Sequence, residues 1–190
     1  FESMLIHNKT VVIYDIEVFS NCFHCVCKNT EDDSVRKFEY SARRNDIADL
    51  VKYFLDTTLL FAGYNNHNYD DVIVNYIIDY KNVFIKSSYV IGCTSLHNLS
   101  TKIVNDEDDR SMWARWRYAD FFESIDILTL MFSSKLRVGL KEMQLTMHYP
   151  NVLEYEGGFD KPIPLEAEDK MIEYNCNDAD STHELLNKLV

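Results

Sequence analysis

A short apolar segment, residues 11–13, leads directly into two acids one residue apart, Asp15 and Glu17, and this run limits the fold more than any other stretch. An uninterrupted apolar segment predicts a strand covered on both faces, in the middle of a sheet. Side chains alternate across a strand, so the two carboxylates point to one side. Two anions where a central strand runs out repel each other unless a cation lies between them. The run therefore predicts a metal site, with a strand end carrying two solvated acids as the alternative.

The charge balance limits the partners of the chain. Among its 190 residues, 31 Asp and Glu stand against 19 Lys and Arg, and the formal net charge is -12. The chain lacks the basic field that binds duplex nucleic acid non-specifically. A metal-dependent nuclease is compatible with this balance, because bound divalent cations turn a carboxylate cluster into a place that accepts phosphate. With 46% hydrophobic residues, we predict a single domain over residues 1–190.

The five cysteines do not show the spacing of a secreted disulfide framework. No signal peptide and no apolar run of membrane-spanning length is present, so we predict a cytoplasmic protein without a membrane partner, such as one in the cytoplasm of a phage-infected or plasmid-bearing host. Cys22, Cys25 and Cys27 are close enough in sequence to raise the question of a structural zinc. No second Cys pair follows, which favours packing within a strand over a zinc site.

The first half of the chain predicts a mixed sheet. Residues 21–28 and 34–41 form strands that continue the first strand as an antiparallel meander. Asn45 or Asp46 begins a helix whose apolar positions recur at helical spacing, and residues 59–62 form a buried parallel strand. A polar loop over residues 63–71 then leads into a helix that places Asp70 near the first two acids. Capping of that helix by Asp70 and Asp71 is the alternative. The pattern predicts an α/β fold, a mixed central sheet flanked by helices, similar to the ribonuclease H-like type.

The second half is less regular. We predict an extended insertion at about 81–120, with a hairpin and an aromatic-basic run at 113–118 whose tryptophans favour core packing over base stacking. Residues 125–130 predict another central strand carrying Asp126, and residues 140–147 a short helix ended by Pro150. A last helix over residues 165–189 places Tyr174 and Asp178 four residues apart on one face. Its expected apolar stripe is Ile172, Cys176, Ala179, Leu186 and Leu189.

Three motifs stand in order: Asp15-x-Glu17, Asn66-x-x-x-Asp70 and Tyr174-x-x-x-Asp178. Together they resemble the three Exo motifs of the DEDD exonucleases, in the tyrosine subclass. The likeness is strongest to the 3′-5′ proofreading exonuclease domain of family B DNA polymerases of the protein-primed phage and plasmid type, which carry an aromatic residue, here Tyr69, before the second Asp. The resemblance spans residues 11–186.

The resemblance implies a metal-dependent 3′-5′ exonuclease that removes nucleotides from single-stranded DNA 3′ ends with two divalent cations, Mg²⁺ or Mn²⁺, about 3.5 to 4 Å apart. In this family the first Asp bridges the two cations. The resemblance also implies that Glu17 and Asp178 complete the coordination of one cation, and that Asp70 coordinates the other, partly through water. Tyr174 would orient the attacking water. Asn66 and Tyr69 would hold the terminal nucleotides, and Leu128 would pack against a terminal base. An unperturbed tyrosine has a pKa of about 10, so the Tyr174 hydroxyl is a poor base and the metal does most of the deprotonation.

The motifs leave two assignments open, the second-motif acid and the assisting lysine. Asp71 follows Asp70 where the family often has Gly, and the aromatic residue before them favours Asp70 as the ligand. The family also uses a lysine between the second and third motifs, for which Lys141 and Lys161 are candidates, and we take Lys141. The motifs are compatible with an exonuclease domain of a parent chain that also holds a polymerase domain, or with a free-standing exonuclease acting on RNA or DNA. A catalytically inactive nucleic-acid-binding module and a zinc-binding structural protein are the non-enzyme alternatives.

Overall fold

The chain forms an α/β domain with a mixed, open sheet flanked by helices, in a computed structural model that describes residues 5–6, 8–105, 120–132, 138–155 and 157–189. The strands are β1 (Leu5–Ile6), β2 (Lys9–Val18), β3 (Phe23–Asn29), β4 (Val35–Tyr40), β5 (Leu59–Gly63) and β6 (Ser124–Asp126). The helices are α1 (Ile47–Phe54), α2 (Asp70–Asp79), α3 (Lys81–Lys86), α4 (Tyr89–Val104), α5 (Ile127–Met131), α6 (Leu140–Thr146) and α7 (Glu168–Leu189).

The sheet order confirms the predicted meander. Its order is β4-β3-β2-β5-β6, and β1 pairs with the start of β2. β2, β3 and β4 pair antiparallel, whereas β5 pairs parallel with β2 and β6 pairs parallel with β5. The antiparallel half needs only short turns, while each parallel step needs a helical crossover. As a result β2 lies at the centre of the sheet.

The central strand is buried on both faces, as its apolar run predicts. Val12 and Tyr14 pack with Phe54 and Phe61 in the larger core cluster, on the face covered by α1 and α2. On the opposite face Val11 and Ile13 lie in a second cluster, to which α7 contributes residues. This second face is the one to which Asp15 and Glu17 belong, because side chains alternate along the strand. The fold therefore directs both acids toward α7.

The predicted hairpin within residues 81–120 is wrong for its described part. Residues 81–104 form the helices α3 and α4, and the aromatic-basic run with Trp113 and Trp116 lies outside the described residues. Ser88 begins α4, because its side chain accepts a hydrogen bond from the backbone N–H of Val90. The buried residues of α4 recur at helical spacing: Gly92, Cys93, Leu96 and Ser100. This period indicates a helix, but two of its four positions are small or polar, which weakens the pattern in the sequence.

The predicted strand over residues 125–130 is right only for its first two residues. β6 ends at Asp126, and it lies at the edge of the described sheet rather than at its centre. The Asp126 side chain accepts hydrogen bonds from the backbone N–H groups of Leu128 and Thr129, so it caps α5 and ends the strand. Leu128 is therefore on a helix and half-buried.

The two C-terminal helices are confirmed. α6 ends four residues before Pro150, and α7 follows a short 3₁₀ turn, Leu165–Ala167. The stripe predicted for α7 is only partly right, because Ala179 and Leu186 are buried whereas Leu189 is 45% exposed. The buried face instead carries polar side chains, among them Asn175 and Asp178. Within the described part of the chain, no helix combines the length and the apolar character needed to cross a bilayer.

Candidate metal centre

Asp15 and Glu17 lie in the last four residues of β2. The strand pairs with β3 as far as Val18, but its pairing with β5 stops at Ile13. The expectation that the sheet opens at the two acids is therefore confirmed on the β5 side. Beyond Ile13 the neighbouring strand no longer covers that edge of β2, so the two half-buried side chains stand beside an open edge of the sheet.

Asp178 joins these two acids from the far end of the chain. α7 packs across β2 and β3, and Asp178 lies on its buried face. Carboxylate oxygens of Asp15, Glu17 and Asp178 all lie within 4.8 Å of one another. A helix-borne acid and two strand-borne acids, more than 150 residues apart in sequence, thus meet at one point.

This proximity is electrostatically unfavourable for the protein alone. Burial raises the pKa of Asp15 well above its ordinary value, and Asp70, Glu17 and Asp178 raise it further. The pKa of Glu17 rises for the same reasons, burial first and then repulsion from Asp178 and Asp70. The Lys141 ammonium opposes both shifts. Several carboxylates therefore face each other across a gap that a cation would neutralise.

The structure separates Asp70 from Asp71. Asp70 accepts a hydrogen bond from the backbone N–H of Ile16 at 3.2 Å, which places it beside the two acids of β2. Burial raises the pKa of Asp70, with a further contribution from Asp71. Asp70 is close to the cluster, although it is not one of the three acids whose oxygens lie within 4.8 Å.

Asp71 is held by the fold instead. It accepts hydrogen bonds from the Tyr14 hydroxyl, from Asn66 Nδ2 at 2.9 Å and from Ser124 Oγ at 2.5 Å. Tyr14 points to the face of β2 opposite Asp15, so Asp71 lies on the far side of the sheet from the cluster. Of the two adjacent acids, Asp70 is thus the one near the candidate site.

Tyr174 and Lys141 border the three acids. Lys141 Nζ lies 2.5 Å from Asp178 Oδ1 and 4.5 Å from the centre of the Tyr174 ring. Burial raises the pKa of Tyr174, and Asp178, Glu17 and Asp15 raise it further, so its hydroxyl stays protonated at neutral pH. Lys161, the other candidate lysine, is exposed in the loop before α7.

Asn66 and Tyr69, which were predicted to hold the terminal nucleotides, are less accessible to a substrate than that role requires. Asn66 is fully buried and donates to Asp71, so it has no surface to offer a nucleotide, which corrects its predicted role. Tyr69 is half-buried, and its hydroxyl is hydrogen-bonded to Ser100 Oγ at 2.7 Å. Burial raises the pKa of Tyr69 above its ordinary value, and Asp70, Glu17 and Asp15 act in the same direction, while its ring packs against the larger core cluster. Only Tyr69 of this pair remains a candidate for contacting substrate.

Two residues that the sequence interpretation missed hold the acids in place. Asn175 Nδ2 donates to Asp15 Oδ2 at 3.0 Å, and Gln144 Nε2 donates to Asp178 Oδ1 at 2.9 Å. Both side chains are fully buried, and their carbonyl oxygens have no hydrogen-bond partner among the described residues. The available signal was spacing, because Asn175 precedes Asp178 by three residues on the same helix face.

The three cysteines that raised the question of zinc lie in two separate places. Cys25 and Cys27 are in the larger core cluster with their sulfurs 3.7 Å apart, whereas Cys22 packs with Phe19, Ile163 and Met171. Burial raises the pKa of Cys22 and of Cys25. These thiols fill core positions of β3 and the turn before it.

The cluster combines hard oxygen donors with a protonated tyrosine and the Lys141 ammonium, a set that suits a divalent cation and an anionic substrate. In comparisons with known proteins, no protein-family model, no curated protein and no solved structure matches the chain.

Proposed function

We propose that this chain is a metal-dependent 3′-5′ exonuclease of the tyrosine subclass of DEDD enzymes, with a ribonuclease H-like fold, acting on single-stranded DNA 3′ ends. One observation carries the proposal: oxygens of Asp15, Glu17 and Asp178 lie within 4.8 Å of one another. These are three of the four acids that the sequence motifs name. Asp70, the fourth, lies beside them through its hydrogen bond with Ile16.

The donor set fits Mg²⁺ or Mn²⁺. Both cations prefer carboxylate oxygens, and the raised pKa values of Asp15 and Glu17 mark a site where a positive charge relieves repulsion. Asp15, Glu17 and Asp178 would hold one cation, and Asp70 would help to hold the second. When bound, such a pair of cations makes water nucleophilic near neutral pH and stabilises the leaving 3′ oxygen.

The protein's own side chains supply positioning. Tyr174, protonated at neutral pH, orients the attacking water by hydrogen bonding and does not remove its proton. Lys141 reaches Asp178 and places a positive charge where a phosphate oxygen would approach. Asn175 and Gln144 fix the Asp15 and Asp178 carboxylates through single hydrogen bonds from their amides. Such preorganisation matters because misplacement of a catalytic group by about 1 Å costs on the order of 100-fold in rate.

The substrate is held locally. The net charge of -12 opposes non-specific binding of nucleic acid, so the strand end must be held by a few contacts around the acids. This favours a frayed or single-stranded end, as a proofreading domain linked to a polymerase would encounter. The polymerase partner is part of the proposal and follows from the resemblance of the motifs.

The test is hydrolysis of a 5′-labelled single-stranded DNA with Mg²⁺ or Mn²⁺. The expected result is a ladder that shortens from the 3′ end, together with loss of about 100-fold or more of the rate in Asp178→Asn. Asp180→Asn is the matched control, because Asp180 lies on the same helix but pairs with Lys28 at 2.8 Å. An intact strand, or equal rates for wild type and Asp178→Asn, would refute the proposal. A parallel RNA oligonucleotide decides between exodeoxyribonuclease and exoribonuclease activity.

A further inference from the structure

We propose that Arg43 is a positioning residue for the proposed nuclease site. It fixes the start of α7 against the end of β4, and thereby fixes the direction in which Tyr174 faces the acids. The inference rests on the proposed function for its catalytic consequence, and on the geometry of the helix start for the rest.

One guanidinium joins two distant parts of the chain. Arg43 donates to both Glu39 carboxylate oxygens on β4, from Nε at 2.9 Å and from Nη2 at 2.8 Å, and its Nη1 donates to Asp169 Oδ1 at 2.8 Å. Its Nε also lies 2.7 Å from Glu168 Oε2, a charge contact in which that oxygen accepts no hydrogen bond from the described residues. Glu168 and Asp169 are the first two residues of α7. A planar group with several fixed donors can hold three carboxylates at once, whereas a lysine ammonium is a single point charge.

Two of the three carboxylates around Arg43 are buried, whereas Asp169 is exposed. Glu39 is 5% exposed and Glu168 is 1% exposed, so these two carboxylates would repel each other without the arginine. Burial opposes ionisation of Glu39, but hydrogen bonds from Arg43 and Ser41 lower its pKa to about 2. Burial raises the pKa of Glu168 to about 7, against the opposing effect of Arg43. The start of α7 therefore depends on Arg43 for its charge balance.

The location of this contact along α7 determines which catalytic group it affects. Tyr174 lies about 9 Å along the helix axis from Glu168, and Asp178 about 15 Å. Asp178 is also held from the other side by Gln144, and the next turn by the ion pair between Lys28 and Asp180. Tyr174 lies between the Arg43 contact and these later ones. Release of Arg43 should therefore displace Tyr174 more than Asp178.

The experiment compares Arg43→Met, Arg43→Lys and Arg44→Met in the full chain. Arg44 is the control, because it is adjacent, exposed and pairs only with Asp46 among the ion pairs of the described residues. For Arg43→Met we expect kcat to fall about 10-fold, with KM and the Mn²⁺ affinity within twofold of wild type. We also expect about 10-fold faster hydrogen exchange at the amides of residues 172–176, which are the first amides of α7 to donate hydrogen bonds within the helix. Amides of residues 182–188 should be unchanged, as should all of these quantities in Arg44→Met.

Arg43→Lys keeps the positive charge beside the buried carboxylates, so it serves as a second variant if Arg43→Met fails to fold. It should show the same local increase in exchange at about half the size on a logarithmic scale. Unchanged exchange at residues 172–176 in both variants, or a uniform increase along α7, would overturn the inference. Hydrogen exchange needs no activity, so a wild-type chain without nuclease activity would refute the proposed function while the exchange data still decide on Arg43.

Discussion

Asp70 and Asp71 are adjacent and chemically identical, yet the fold places them in different environments with different roles. Asp70 faces the acids of β2 through the N–H of Ile16, while Asp71 accepts from Tyr14, Asn66 and Ser124 on the other side of the sheet. The sequence allowed either to be a ligand, and the aromatic residue before them was the only guide. The side of β2 to which Tyr14 points decides between them.

Substitution at these two positions should separate activity from stability. Asp70→Asn should lower exonuclease activity about 100-fold or more without lowering Tm, because it removes a charge from a crowded cluster. Asp71→Ala should lower the free energy of unfolding by about 1–3 kcal/mol, because it leaves buried donors without an acceptor. Folded Asp71→Ala should keep most of its activity. Activity assays and urea unfolding of both variants check this, and the reverse pattern would show that the two roles are exchanged.

The raised pKa of Glu17 predicts how stability depends on pH. A folded-state pKa above the ordinary value of 4.5 means that the folded chain binds more protons than the unfolded chain. Without metal, this group therefore makes stability fall as pH rises from about 4.5 through the folded-state pKa. Glu17→Gln should remove that contribution and raise Tm at pH 7 in EDTA by about 2–4 °C, equivalent to about 1 kcal/mol. Thermal unfolding at pH 5 and pH 8 measures it, and a lower Tm for Glu17→Gln would contradict the electrostatic interpretation.

Asn175 should matter for activity more than for stability. Its replacement by Leu removes the hydrogen bond to Asp15 Oδ2 and also a buried carbonyl oxygen that has no partner among the described residues. The two effects offset each other in the free energy of unfolding. We expect kcat to fall about 10-fold with Tm changed by less than about 3 °C. Asn177→Ala is the control, because Asn177 donates to the carbonyl of Asn151 away from the acids. An unchanged kcat would show that Asp15 needs no orientation from the helix.

At the scale of elements, β5 and α1 support the centre of the sheet on the face opposite the acids. The Phe54 and Phe61 rings are stacked with centroids 4.2 Å apart, and Tyr14 meets Phe61 edge-on at 5.9 Å. Phe61→Ala should lower the free energy of unfolding by about 3–5 kcal/mol, as expected for loss of a buried aromatic ring. Leu55→Ala, at a 40% exposed position, should change it by less than about 1 kcal/mol. Denaturant titration compares the two, and similar effects would place Phe61 outside the core.

The spacing of apolar residues along the sequence identified most of the strands and helices that position the site. β2 through β5 and α1 follow from alternation and helical spacing, because their buried faces are largely apolar, whereas α6 and α7 follow from shorter apolar patterns together with signals at the helix ends. The apolar spacing did not predict the correct element where polar or small residues occupy buried positions. α4 buries Gly92 and Ser100, and the strand containing Asp126 ends there because its side chain caps the next helix.

The same limit applies to the site itself. Acids at motif spacing could be predicted from the sequence because carboxylates carry recognisable chemistry. Asn175 and Gln144 could not, because a buried amide becomes significant only through the partner that the tertiary fold gives it. For Asn66 the motif predicted a substrate contact, whereas the fold uses its amide to hold Asp71.

At the scale of the whole molecule, topology converts distant sequence positions into one site. The antiparallel β2–β3–β4 meander leaves one face free, and α7 crosses that face over β2 and β3. This crossing places Asp178 beside Asp15 and Glu17. The chain carries a net charge of -12, and three of its acids converge at a point where a cation would be attracted.

Calorimetric titration of the metal-free chain with Mn²⁺ tests this account most directly. The wild-type chain should bind about two ions, in keeping with a two-metal site, and Asp178→Asn should weaken binding at least about 10-fold. Asp180→Asn, on the same helix, should bind as the wild type does. A wild-type chain that binds no Mn²⁺, or an Asp178→Asn chain that binds it equally well, would contradict the claim that these acids form a metal centre.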